Sequence, residues 1–451
     1  MIHVTSERCK MGKNLIFITM ARLVDISRRG IYTDLLRKFR SEGWNIYIVT
    51  PHERSIGLPT ELINLNDNLN DNVSDNGKVG DVYALGVRTL NLQKTSTIEK
   101  GIGQVLVEGQ YKRAIKRYLP DVKFDLILYS TPPITFPKVI AYLKKRNPQA
   151  MSYLLLKDIF PQNAVDIGMM SKTGVKGVLY RFFRRKEKKL YALSDYIGCM
   201  SPANVEYVLK HNPELNDNDN LNLNHNDNDN DNLNVNRVEV APNSVSVNVN
   251  VNVELNRDAI RIKYGIPTDR PVFIYGGNLG KPQGIPFLIE CLEANSTRDD
   301  CHFLVIGTGT ELPKLKAWYN DNVNHNANFN VTVMEGLPKA EYDELVRSCD
   351  VGLIFLDHRF TIPNFPSRLL SYLENKMPVL CATDSNTDMG RIAEENGFGF
   401  WCESNSVEAF TAILDRMISA DRTAMGEKGF AFLKENYLVE NTYNAIVSHL
   451  A

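Results

Sequence analysis

The chain has little that would mark a membrane span, a secreted scaffold or a nucleic-acid binder. No apolar run in its 451 residues approaches the roughly 20 needed to cross a bilayer. The N-terminus has no apolar signal core with a small-residue cleavage site. "MIHVTSERCK" precedes a second methionine, so the functional chain is expected to begin near Met11. The seven cysteines (Cys9, Cys199, Cys291, Cys301, Cys349, Cys381 and Cys402) form no CxxC pair and no ligand-like spacing with histidine. Their odd number argues against a full disulfide framework and suits a reducing cytoplasm. Several sit in apolar runs as small core residues. Neither sign of charge dominates: 52 Lys and Arg stand against 53 Asp and Glu, a net charge of −1. That removes a uniformly basic surface, and no nucleic-acid partner is expected, although local basic patches stay open.

What is present is an ordinary globular composition, 43% hydrophobic and 23% charged, long enough for two or three domains. Four segments stand apart: 64–76, 216–236, 248–253 and 320–331 alternate Asn with another residue. Strict alternation could describe a strand with one amide face. Asn is depleted in strands and favours turns, and the device recurs between good elements, so surface loops lengthened by a repeat are expected.

Elsewhere the pattern is regular. "NLIFITMA" is a buried-strand run, "GIYTDLLRKFRSEGW" places Ile31, Leu35, Leu36 and Phe39 at helical spacing, and "NIYIVTP" is a second strand. Strand and helix then alternate to "PANVEYVLKHN", and a second such series runs from "RVEVAPNSV" to "DMGRIAEENG". The expectation is an α/β protein of two doubly wound, Rossmann-like domains facing a cleft, 11–240 and 241–451. Inserts lie at 64–76 and 216–236 in the first and at 320–331 in the second, and the last helix packs back on the first domain. Ligands of such sheets bind at the carboxyl ends of the strands.

"FIYGGNLGKPQGIPFLIECLE", residues 273–293, sits where the second sheet would face that cleft. Gly276, Gly277 and Gly280 permit positive φ and close backbone approach, and Lys281 adds a charge at a helix start. Two readings are open: a tight turn with a solvated lysine, or a loop that holds a phosphate. The spacing is not GxGxxG and it opens the second series, which argues against a dinucleotide site.

Taken with "LVIGTGTELPKLK", "VTVMEGLPKAEYDELVRSCDVGLIF" and "FPSRLLSYLENKMPVLCATD", in that order and spacing, the loop resembles the donor domain of GT-B fold glycosyltransferases of family 4, the kind found in bacterial capsule, O-antigen and exopolysaccharide synthesis. "LLLKDIFPQNAVDIG" and "YALSDYIGCMSPANVEYVL" match the first domain more loosely. The resemblance implies a retaining transfer from a nucleotide-sugar donor, UDP-linked, to a lipid-linked or saccharide acceptor, with the donor as substrate and no cofactor or metal. It places Gly277, Asn278, Gly280 and Gln283 on the diphosphate, with Lys281 supplying charge where many relatives carry Arg and Lys at the Asn278 and Gln283 positions. Arg368 is the matching second cation, Ser367 a backbone contact at its helix start, and Leu337 falls in the segment beside the base.

A glutamate pair common in relatives would fall at Pro363 and Ser371. Both carboxylates are missing, leaving Ser371 for the ribose. Glu374 is expected to be an exposed surface acid. Gly30 would lie beside the donor phosphates, with Arg28 and Arg29 as phosphate contacts or solvated residues. Asp158 stands near the site of a His-Asp pair in relatives, with Lys157 in place of the His, either to accept a proton and position the acceptor or to cap a helix.

The chemistry implied is electrostatic: Lys281 and Arg368 stabilise the leaving diphosphate, so no metal is required, and domain closure excludes water. Residues 175–193 combine Leu179, Phe182, Phe183 and Tyr191 with Arg181, Arg184, Arg185, Lys186, Lys188 and Lys189, so the helix either lies on an anionic membrane surface or has an ordinary solvated face. The expected location is cytoplasmic, with peripheral attachment to the inner face of the plasma membrane through this helix. Two rival readings remain: a sugar-nucleotide epimerase of the same fold, and a non-catalytic binding or scaffold subunit.

Overall fold

The structure is a computed structural model that describes residues 12–68, 79–92, 97–216, 237–247, 256–326 and 328–450. The first half runs β1 (Asn14–Ile18), α1 (Ile31–Ser41), β2 (Asn45–Glu53), β3 (Glu61–Asn64), β4 (Val82–Thr89), α2 (Thr97–Tyr118), β5 (Leu126–Ser130), α3 (Pro137–Arg146), β6 (Met151–Leu156), α4 (Gln162–Asp166), α5 (Gly174–Leu193), β7 (Tyr196–Cys199), α6 (Pro202–His211) and β8 (Val238–Val240). The second half runs α7 (Arg257–Lys263), β9 (Val272–Asn278), α8 (Ile285–Ala294), β10 (His302–Thr308), α9 (Leu312–Val323), β11 (Val331–Glu335), α10 (Lys339–Arg347) and β12 (Val351–Phe355). It continues through α11 (Arg368–Glu374), β13 (Val379–Thr383), α12 (Met389–Glu395), β14 (Gly399–Glu403), α13 (Val407–Ser419), α14 (Arg422–Asn436) and α15 (Val439–Val447).

Two α/β domains result, each around its own sheet. The first sheet has the order β3-β4-β2-β1-β5-β6-β7-β8, parallel except where β3 meets β4. The second has the order β11-β10-β9-β12-β13-β14 and is parallel throughout. Helices cover both faces, so strands read as continuous apolar runs: β5, β6, β12 and β13 are buried at every position.

Between the sheets the chain crosses twice, and the two crossings pair with each other. The Val245 N–H donates to Tyr437 O at 3.0 Å, and the Val439 N–H to Val245 O at 3.1 Å. Past that point α15 packs on α1, with Tyr443 edge-on to Phe39 at 4.8 Å, and buries Val439 and Ile446 in the core of the first domain.

The Asn-alternating segments behave less uniformly than surface loops. Asn64 closes β3, Leu65 is buried, and Asn66–Asn68 form a 3-10 turn. In 320–331, α9 continues to Val323 and β11 begins at Val331. Both ends are tied by amides that satisfy backbone carbonyls: Asn322 to Trp318 O, and buried Asn330 to Asn295 O and Cys301 O. Residues 69–78, 217–236 and 248–255 lie outside the described residues.

Candidate functional site

Strand order in the second sheet reverses between β9 and β12, the point at which open α/β sheets bind ligands outside the carboxyl ends of their strands. Residues from "GGNLGKPQG" and from the start of α11 meet there. Gly277 has φ +118° and lies opposite Gly307 in the β9–β10 register. A Cβ on Gly307 would stand 1.8 Å from Gly277 O, so only glycine permits this approach. A Cβ on Gly276 would meet the Tyr342 hydroxyl at 2.0 Å. The Gly276 N–H donates to the Tyr372 hydroxyl at 3.2 Å, and that hydroxyl donates to Ile274 O at 3.1 Å.

Arg368 begins α11. Its Nη2 lies 3.9 Å from where a Cβ on Gly277 would be, and its guanidinium stacks 4.2 Å from the Tyr275 ring centre. Its Nη1 is buried with no hydrogen-bond partner, and no carboxylate stands at ion-pair distance among the described residues. An orphaned guanidinium N–H in such a place costs free energy that an arriving anion would recover. The position is set by packing: Leu369, Leu370, Tyr372 and Leu373 of α11 are all buried.

The other expected donor residues take several roles. Asn278 Nδ2 donates to Gln283 Oε1 at 2.9 Å, so these two amides close the loop on each other. Gly280 precedes the 3-10 turn Lys281–Gln283, and exposed Lys281 has no carboxylate partner among the described residues. The Ser367 hydroxyl accepts from Asn243, tying the start of α11 to the segment that leaves β8. Ser371 is half-buried on α11, and half-buried Leu337 packs on the core that also holds Tyr342.

Across the cleft, Gly30 opens α1, yet its N–H donates to Asp34 Oδ1 at 3.0 Å. That N–H is therefore already occupied within the first turn of α1. Asp34 also accepts from the Ser246 N–H at 2.9 Å. Arg28 is exposed beside Asp25. Arg29 reaches the second domain instead, pairing with Glu374 at 2.7 Å and donating to Ser246 O at 2.7 Å. Glu374 is thus no surface acid: its side chain is 15% exposed because it is one half of an interdomain ion pair. Pro363 is also engaged between domains, its carbonyl accepting from Asn204 at 2.8 Å.

Asp158 follows β6. Its N–H and that of Lys157 both point at Thr131 Oγ1, at 3.4 and 3.0 Å. Burial pushes the Asp158 carboxyl up to about 6. Burial likewise pushes the Lys157 ammonium down to about 7, while its Nζ donates to Ala241 O at 3.1 Å. The contacts of Asp158 are with its own domain and do not reach Gly277 or Arg368. A cavity of about 150 Å³ opens beside the same domain edge, lined among others by Gln162, Tyr180, Tyr207, His211 and, from the second domain, Thr361.

Sequence reasoning missed the aromatic cage of Tyr275, Tyr342 and Tyr372, as well as Asn243 and the Arg29–Glu374 pair. The tyrosine before the glycines in "FIYGG" was a readable signal. The others come from separate elements and have no local signature.

Residues 256–431 match the family "Glycosyl transferases group 1". The chain is similar to "Probable glycosyltransferase WbjE" of Pseudomonas aeruginosa, 23% identical over 351 residues, 76% of this chain and 78% of that one. It is also similar to the "Putative colanic acid biosynthesis glycosyl transferase WcaI" of Escherichia coli, 26% identical over 160 residues, 34% of this chain and 37% of that one. Among solved structures it resembles the E. coli trehalose-6-phosphate structure bound with UDP-2-fluoro glucose. The TM-score is 0.64 at 10% identity, over 97% of this chain and 99% of that one, a likeness of fold.

Proposed function

We propose that this chain is a retaining glycosyltransferase that takes a sugar from a UDP-sugar and delivers it to a lipid-linked or saccharide acceptor in surface polysaccharide synthesis. The single observation that carries the reading is Arg368, a guanidinium with a buried, unpartnered Nη1 set against Gly277 at the switch point of the second sheet. The match of residues 256–431 to group 1 glycosyl transferases supports the reaction class. The name of WcaI supports the polysaccharide setting, and the UDP-sugar in the structural relative supports the donor.

The residues then have these tasks. As the sugar–phosphate bond breaks, negative charge grows on the leaving diphosphate. Arg368 donates to it through a planar fork already oriented by Tyr275, so little reorganisation is needed. Lys281 adds a mobile charge from the adjacent turn. The free backbone at Gly277 lets the phosphate approach where a side chain would block it. Asp158, with a pKa near 6, is mostly ionised at neutral pH, and it takes the proton or orients the hydroxyl of the acceptor. The Arg29–Glu374 pair and the twin crossings hold the domains together over the donor and limit hydrolysis.

The test is thermal-shift screening with UDP-, GDP- and ADP-sugars, followed by assay of nucleotide release with and without saccharide acceptors. Selective stabilisation by UDP-sugars and acceptor-dependent UDP release are expected. No response to any nucleotide sugar would overturn the donor assignment, and acceptor-independent elimination of UDP would point to an epimerase.

A further inference from the structure

The stretch between β12 and α11, residues 356–367, delivers Arg368 to the glycine-rich turn yet forms no helix or strand of its own. Its backbone groups therefore need partners outside any ladder. Those partners come from both domains.

The second domain supplies some of them. The Asp357 N–H donates to Pro282 O, within the turn that follows Gly280, at 3.0 Å. Asn386 Nδ2 donates to Phe360 O at 2.7 Å, and the Asn364 N–H to Thr387 Oγ1 at 3.0 Å.

The first domain supplies the others, at positions in between. Asp166, which ends α4, accepts from the Thr361 N–H at 2.8 Å and from the Thr361 hydroxyl at 3.0 Å. Gln162 Nε2 donates to the same carboxylate at 2.6 Å and orients it. Asn204 of α6 donates to Pro363 O, and Asn243 donates to the hydroxyl of Ser367, the residue before Arg368.

Packing makes the same division. Phe360 and Ile362, on either side of Thr361, are 2% and 0% exposed, and both lie in the hydrophobic core of the first domain with Ile159, Leu190 and Val208. Two surfaces that merely touch keep their apolar side chains in their own cores. Here two side chains of one domain are buried in the other, a larger commitment than exposed ion pairs make. The stretch is thus a strap sewn to the first domain at 360–363 and again at 367. Its far end is the start of α11, where Arg368 turns toward Gly277.

We propose that Asp166, Asn204 and Asn243, all from outside the donor domain, are positioning residues for Arg368 and act on it through this strap. The inference rests on the reading of Arg368 as the cation for the donor diphosphate. Displacing such a group by about 1 Å is enough to weaken a fork-shaped contact to phosphate. Influence should grow toward the cation, so Asn243 counts for more than Asp166.

The test is calorimetric titration of the full chain with UDP, in the parent and in an Arg368→Met background. In the parent, Asn243→Ala should weaken UDP binding about tenfold and Asp166→Ala about fivefold. In the Arg368→Met background neither should weaken it further, because the group they position is gone. Where Asn243→Ala does not fold, Asp166→Ala and Thr361→Val, the latter at an exposed position, read the same strap. Unchanged affinity in the parent background overturns the strap and leaves the donor reading standing. Equal losses in both backgrounds also overturn it, since these residues would then act on UDP or on folding without Arg368. Failure of the unaltered chain to bind UDP overturns the donor reading and this inference with it.

Discussion

Replacing Arg368 with Met separates a binding cation from a structural one. Methionine keeps much of the length and apolar contact but removes the charge and every N–H. In the ligand-free protein two effects oppose. The guanidinium loses its stacking on Tyr275, worth up to about 2 kcal/mol when desolvated. Removing the orphaned Nη1 recovers a penalty of about 1–3 kcal/mol. The folded state should therefore lie between about 1 kcal/mol less stable and about 3 kcal/mol more stable than the parent. Binding should change far more. Two charge-assisted hydrogen bonds to a diphosphate are worth about 1.5–3 kcal/mol each, so their loss predicts a fall of about 100-fold or more in affinity for UDP. Calorimetric titration with UDP, paired with urea unfolding of the free protein, reads both quantities. Arg368→Lys should fall between, since it keeps the charge but not the planar fork. The reasoning fails if Arg368→Met unfolds more than about 2 kcal/mol more easily while UDP binds as before, because Arg368 would then be a packing residue.

Other perturbations test other parts of the architecture. Asp158 holds its proton more tightly in the folded protein, near 6, than the usual 3.8, so stability from this group is full below about pH 4 and declines as pH rises to about 6, by about 3 kcal/mol at most. Asp158→Asn should flatten that decline in urea unfolding and remove an acid limb near pH 6 from kcat/KM. A retained limb would assign the proton elsewhere. Gly307→Ala forces a Cβ to 1.8 Å from Gly277 O and should cost more than about 3 kcal/mol by urea denaturation. A near-neutral result would mean that β9 and β10 can part without loss. Glu374→Gln breaks the interdomain pair with Arg29 and should raise KM for the donor severalfold with little change in unfolding midpoint, as measured by initial rates. An unchanged KM would remove the pair from domain closure.

Much of the architecture could be read locally. The apolar runs of β1, β5, β9 and β12, each followed by a helical period, required parallel sheets. The edge of the first sheet was harder. Strand β3 is short, half-exposed and enters an Asn-alternating tract, and "DVYALGVRT" of β4 went unassigned beside that tract. The α9 end was hidden for a similar reason: Asn is a poor helix former by propensity, yet Asn322 is held by a bond to Trp318 O. In the site, the glycines announced themselves because close approach allows no other residue. Glu374 looked like a surface acid because its cation, Arg29, comes from another domain.

The sequence by itself determined the alternation of strand and helix, the two sheets, and a glycine-rich turn beside a lysine, because period and backbone freedom are properties of neighbours along the chain. Only the tertiary structure decided what Arg368 faces, that Asn278 and Gln283 bond each other, and that the Gly30 N–H is already occupied. Those outcomes depend on which strand ends lie side by side and which charges meet across a cleft. Distance in space sets them, and residues far apart in the chain carry no local mark of it.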